Sequence, residues 1–167
     1  MSQQAGLLAL RDFRGKYLGR LPQRECSAHE VITLEGCHGV RFLKEAPTAG
    51  IVHGRPPVGR EDPGDPPYLW VIDDSGVPYI LDQPVIVLGY SGPKHSNLTG
   101  GGQAFVGGEL WFKSDQELVV SGASGRYPPE DEAQLEDAIG VFRQFGYETT
   151  SMGWEVDSAK RYLELPT

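Results

Sequence analysis

Residues 95–129, HSNLTGGGQAFVGGELWFKSDQELVVSGASGRYPP, constrain the fold more than any other part of the chain. Their apolar runs are short and separated by glycines, a pattern that excludes a long helix and asks for brief strands joined by tight turns. Residues 103–106 and 109–112 flank Gly107-Gly108, a pair suited to the two positive φ angles of a two-residue hairpin turn. The polar residues 113–116 then separate Phe112 from a third β-prone run, 117–121. A three-stranded antiparallel meander ending at Gly122 is therefore expected.

Polar side chains cluster around this meander: His95, Ser96, Glu109, Ser121, Ser124, Arg126 and Tyr127. Most stand at strand ends or in glycine-rich loops, where a rigid scaffold usually presents its binding groups. The same residue types also serve plain structural ends. Ser and Gly fill turns for conformational reasons, a strand Glu can simply be solvated, and a Tyr can cap a sheet.

In the order His95-Ser96, Gly101-Gly102, Gly108-Glu109 and Ser124-Gly125-Arg126-Tyr127-Pro128, the segment resembles a domain found at the ends of bacterial polymorphic toxins and in plant IQ-motif calmodulin-binding proteins. The upstream WVIDDSGVPYI, residues 70–80, is similar to that family's strand-turn-strand lead-in, so the likeness covers about half of the chain. Arg126 stands where the family pattern has His. If that His is an acid/base group, the resemblance implies that this chain keeps only a cation there, which points toward binding.

Elsewhere the chain reads as short elements. With 167 residues, 39% hydrophobic content, 22 Gly and 13 Pro, one domain over 1–167 with many turns is expected, and long helices are not. Residues 31–36 and 39–43 read as strands about a turn at 36–39, and 68–72 and 77–81 as a hairpin about Asp73-Asp74-Ser75-Gly76. Residues 54–67, GRPPVGREDPGDPP, hold five Pro and three Gly, the composition of a mobile surface loop. A further apolar run, 85–88, leads toward the focal segment.

Leu135, Ala138, Ile139, Phe142 and Phe145 recur at helical spacing, so an amphipathic helix is predicted over 129–145, with acidic residues in its first turn and Gly146 past its end. Residues 147–154 should form a strand, and 157–165 a short helix or strand. The expected fold class is α+β: an antiparallel sheet of short hairpins with one amphipathic helix packed on it.

Charge and cysteine usage narrow the partners. The net charge is −8, divided as +4 over residues 1–60 and −12 over 61–167. The acidic part repels nucleic acid and anionic membrane, and it would steer a basic protein partner, a toxin domain being one such partner. Five basic residues fall between Arg11 and Arg24, too irregularly spaced for a nucleic-acid helix, and read as a solvated face.

The apolar stretch 5–10 is too short for a secretory core or a membrane span, so a cytoplasmic location is expected. There Cys26 and Cys37 would stay thiols. Together with His29 and His38 they raise the question of zinc, but the neighbours Cys37 and His38 would point opposite ways on a strand. No metal and no cofactor is expected. His53 reads as a lone loop histidine.

Two functions of different class remain. One is a non-catalytic protein-binding module, most concretely an immunity-type protein that neutralises a toxin, with Ser96, Ser124, Arg126 and Tyr127 as contact residues. The other is a small enzyme of a toxin-related family acting on a nucleotide or sugar, with His95 as acid or base, Glu109 as its carboxylate partner and Arg126 as an anion clamp. The second requires these side chains to meet at one cleft.

Overall fold

A computed structural model describes residues 2–45, 50–58 and 62–153. It opens with a helix, α1 (Ser2–Lys16), followed by irregular chain with 3-10 turns at His29–Val31 and Gly36–His38. Six strands follow: β1 (Arg41–Phe42), β2 (Tyr68–Ile72), β3 (Pro78–Leu81), β4 (Val106–Phe112), β5 (Glu117–Ser121) and β6 (Glu148–Gly153). The second helix, α2 (Glu132–Gln144), lies between β5 and β6. The strands form one sheet in the order β1-β3-β2-β4-β5-β6, antiparallel except for the parallel pair β5 and β6. A parallel pair needs a crossover connection, and α2 is that crossover. The fold is α+β.

Strand periodicity divides the core. Trp70, Ile72, Leu110, Phe112, Leu118 and Val120 share one face of the sheet with Leu10 and Phe13 of α1 and Leu135, Ala138, Ile139 and Phe142 of α2. On the opposite face, Leu69, Val71 and Ile80 meet Leu34, Val40, Leu88, Leu98 and Tyr127, all from irregular segments. Because both faces are covered, every residue of β2 is buried. No helix among the described residues is long and apolar enough to cross a membrane.

Several expectations hold. β2 and β3 form the hairpin, closed at Asp73–Gly76 by backbone bonds and by the Asp73 carboxylate, which accepts from the amides of Ser75 and Gly76. β5 has the expected bounds, and β6 forms within 147–154. The helix over 129–145 starts slightly later, because Asp131 is its N-cap and accepts from the amide of Gln134 at 2.8 Å.

Others are overturned. Gly107-Gly108 is no turn: both residues lie inside β4, without the positive φ that a hairpin would demand. They are needed for close approach instead. A Cβ on Gly107 would stand 3.2 Å from the His95 ring, and one on Gly108 would overlap the carbonyl of Ser121.

Residues 31–36 do not form a strand, and only Arg41–Phe42 of 39–43 do. The amide of Leu34 bonds the Asn97 carbonyl rather than a neighbouring strand. The run 85–88 is a 3-10 turn, Ile86–Leu88, with Ile86 exposed. A long N-terminal helix exists where none was expected, and its basic stretch turns Phe13 into the core.

The described part of the 54–67 loop is fastened to the sheet. Gly54 bonds the Phe112 carbonyl, Trp111 Nε1 donates to the Asp65 carbonyl at 2.8 Å, and Pro56 and Pro57 are buried. Residues 157–165 lie outside the described residues.

Candidate functional site

The sheet face opposite the two helices carries a cleft of about 230 Å³ lined by His95, Glu109, Arg126, Lys94 and Asp82, with Leu69, Pro93, Ala123 and Gly125 completing its walls. Its floor comes from the sheet. Leu69 of β2 and Glu109 of β4 are register partners, and alternation along β4 sends Glu109 to this face while Leu110 goes to the helical core.

His95 begins a 3-10 turn, His95–Leu98, whose entry is fixed by Asn97 accepting from the Lys94 amide at 2.7 Å. The ring rests against Gly107 and bonds the carbonyl of Gly108 through Nε2 at 2.7 Å. A carbonyl oxygen only accepts, so Nε2 carries the proton. Burial, reinforced by the cations Arg126 and Lys94 and opposed by the Gly108 bond, pushes the pKa down to about 4. The imidazole is thus neutral near pH 7, and Nδ1 keeps its lone pair. A neutral ring fixed by one nitrogen, with a lone pair on the other, can accept a hydrogen bond from a ligand, while its lowered pKa makes it a weak base.

Arg126 comes from the loop after β5. Its backbone carbonyl accepts from the Gln23 amide at 2.9 Å, and its guanidinium pairs with Glu30 through Nη2 at 2.8 Å. That bond holds the Glu30 carboxyl below its usual range. The Arg126 side chain is only 11% exposed, and its Nε is buried with no hydrogen-bond partner among the described residues. A buried unpaired donor costs about 1–3 kcal/mol, so this edge of the guanidinium favours any anion able to reach it.

The expected cluster therefore divides into two groups. His95, Glu109 and Arg126 line the cleft together. Ser124 and Tyr127 lie beneath it: Ser124 Oγ accepts from the Tyr127 amide at 3.0 Å, and the Tyr127 hydroxyl donates to the Gly102 carbonyl at 2.7 Å and bonds Thr99. With Tyr127 fully buried, these two residues fasten the 124–127 loop instead of presenting groups at the cleft. Ser96 is also fully buried, its Oγ without a hydrogen-bond partner among the described residues, and it does not line the cleft. Ser121 Oγ accepts from the Ala123 amide at 3.3 Å.

Sequence reasoning missed Asp82 and Glu30. Asp82 follows a buried hairpin, and Glu30 lies in a segment misread as leading into a strand, so neither had a local signal.

The four zinc candidates do not form a group. Cys26 Sγ contacts the Arg24 carbonyl, Cys37 is exposed beside the His38 ring, and no cluster of three metal-ligating side chains occurs among the described residues. His53 pairs with Asp115 at the surface, 2.7 Å apart.

No protein-family model matches the chain, and no curated protein or solved structure matches it.

Proposed function

We propose that the chain is a small enzyme acting on a nucleotide or sugar substrate at the cleft between β4 and the 94–98 turn. The observation that carries this reading is the meeting of His95, Glu109 and Arg126, drawn from three separate segments, at one concavity. His95, neutral, offers its Nδ1 lone pair as a hydrogen-bond acceptor and, with its pKa lowered to about 4, as a weak proton acceptor. Glu109 supplies a carboxylate that orients a substrate hydroxyl or shares its proton, and Arg126 holds negative charge.

The test is a screen of nucleotides and nucleotide sugars for turnover by NMR, run with wild type, His95→Ala and Glu109→Gln. Turnover reduced about 10²–10⁴-fold in each variant, with the fold intact, is the expected result. Turnover indifferent to both changes would sink the proposal.

A second reading, the immunity-type binding module for a basic toxin, is supported by the exposed carboxylates of Glu130, Asp131, Glu132 and Glu136 at the start of α2. Capture of a basic partner that is lost on reversing these charges and unaffected by His95→Ala would favour that reading over the enzyme.

A further inference from the structure

Arg126 and Glu30 form a pair whose geometry is incomplete on one side. Nε and Nη2 make up the side-on edge of a guanidinium, which matches two oxygens of a phosphate or carboxylate at once. Glu30 occupies only half of that edge, giving Oε1 to Nη2 at 2.8 Å, while Nε is buried and unpartnered. The second Glu30 oxygen is turned to the amide of Ser27 at 3.2 Å.

Glu30 reaches Arg126 from a strap, residues 23–34, laid across the open face of the sheet. The strap is held independently of Glu30. Gln23 donates to the Arg126 carbonyl, Asn97 Nδ2 donates to the carbonyls of His29 and Ile32 at 2.8 and 2.9 Å, and Leu34 donates to the Asn97 carbonyl. Glu30 also lines a second hollow of about 170 Å³, together with Ser27, His29, Lys94 and Asn97, and this hollow could receive the carboxylate if it leaves Arg126.

We propose that Glu30 is an internal occupant of the anion site, and that the phosphate group of the substrate displaces it to take the Nε and Nη2 edge of Arg126 in two parallel bonds, with Lys94 alongside. This rests on the enzyme reading of the cleft and names the substrate class as phosphorylated. Glu30 then sets specificity: a neutral sugar cannot displace it, because nothing would replace its charge on a buried guanidinium. Free protein keeps Arg126 paired, and only a dianionic group makes the better bidentate partner.

The test titrates the full chain with inorganic phosphate and follows the Arg126 Nε–H resonance. Glu30→Gln removes the competing charge but leaves an oxygen for Nη2, so the strap and the fold should survive. The expected result is phosphate binding at least about tenfold tighter in Glu30→Gln than in wild type, with a large Nε–H shift in both, and phosphate binding lost in Arg126→Gln. Equal phosphate affinity in Glu30→Gln and wild type overturns the proposal. If Glu30→Gln does not fold, wild type decides alone, because an Nε–H resonance unmoved at saturating phosphate overturns it equally. His95-dependent turnover without any phosphate response would sink this inference and leave the enzyme reading standing. A phosphate response without His95-dependent turnover would sink the enzyme reading and overturn the substrate part of this inference, leaving Arg126 and Glu30 as an anion-binding site alone.

Discussion

Burial makes His95 an acid-sensitive residue. Folded, it takes up a proton near pH 4, and unfolded near 6.5. Between those values the unfolded chain binds more protons, so stability is full above about pH 6.5 and declines as the pH falls toward 4, by roughly 3 kcal/mol from this residue. Urea unfolding across that range should show the decline, and His95→Asn should lose most of it. A slope indifferent to the substitution would contradict a buried neutral imidazole.

Residue types at the site were legible in the sequence, because His95, Glu109 and Arg126 stand out as polar residues among glycines and short apolar runs. Their partners were not. Nothing near Glu30 in the chain announces that it reaches Arg126, and nothing near Ser124 and Tyr127 tells that their hydroxyls are consumed by the loop's own backbone.

At the scale of elements, the glycine pair in β4 teaches why a turn signal can mislead. Gly-Gly is compatible with a hairpin turn, but it is also what a strand needs where neighbours leave no room for Cβ atoms, and only the neighbours decide. Gly108→Ala would force a Cβ against the Ser121 carbonyl, so a loss of about 3 kcal/mol or more is expected in chemical denaturation. Were Gly108 a turn residue free of neighbours, Ala would cost far less.

The missed helix has a different cause. Gly6, Leu10 and Phe13 stand at helical spacing along α1, with Tyr17 just past its end, and Leu10 and Phe13 are buried. Arg11, Arg14 and Lys16 interrupt that stripe in the linear sequence, so the basic pattern concealed the apolar one. α2 was legible because its stripe is longer and its acidic first turn and glycine end agree with the same element.

The whole molecule is asymmetric about its sheet. α1 and α2 seal one face, and Gly6 is required where α1 meets the Phe145 ring. Lys16 and Tyr17 both reach Asp137 across the helix pair, at 2.8 and 2.5 Å, but apolar contact should dominate because the ion pair is largely exposed. Phe13→Ala is expected to cost about 3–5 kcal/mol and lower the thermal midpoint markedly, whereas Lys16→Ala should cost less than about 1 kcal/mol. Comparable losses in the two variants would mean that α1 is held by charge rather than by packing.

The opposite face is closed by loops and 3-10 turns, and the cleft lies there. Local information in the chain determined the α+β class, the β2–β3 hairpin, the bounds of β5, the amphipathic α2 and the identity of the polar residues, because periodicity, capping and turn chemistry act between near neighbours. Tertiary structure alone decided that Gly107-Gly108 continues a strand, that α1 covers the sheet, and that Glu30 closes on Arg126 beside His95. Each of these depends on atoms brought close by packing, and no spacing along the chain encodes such a contact.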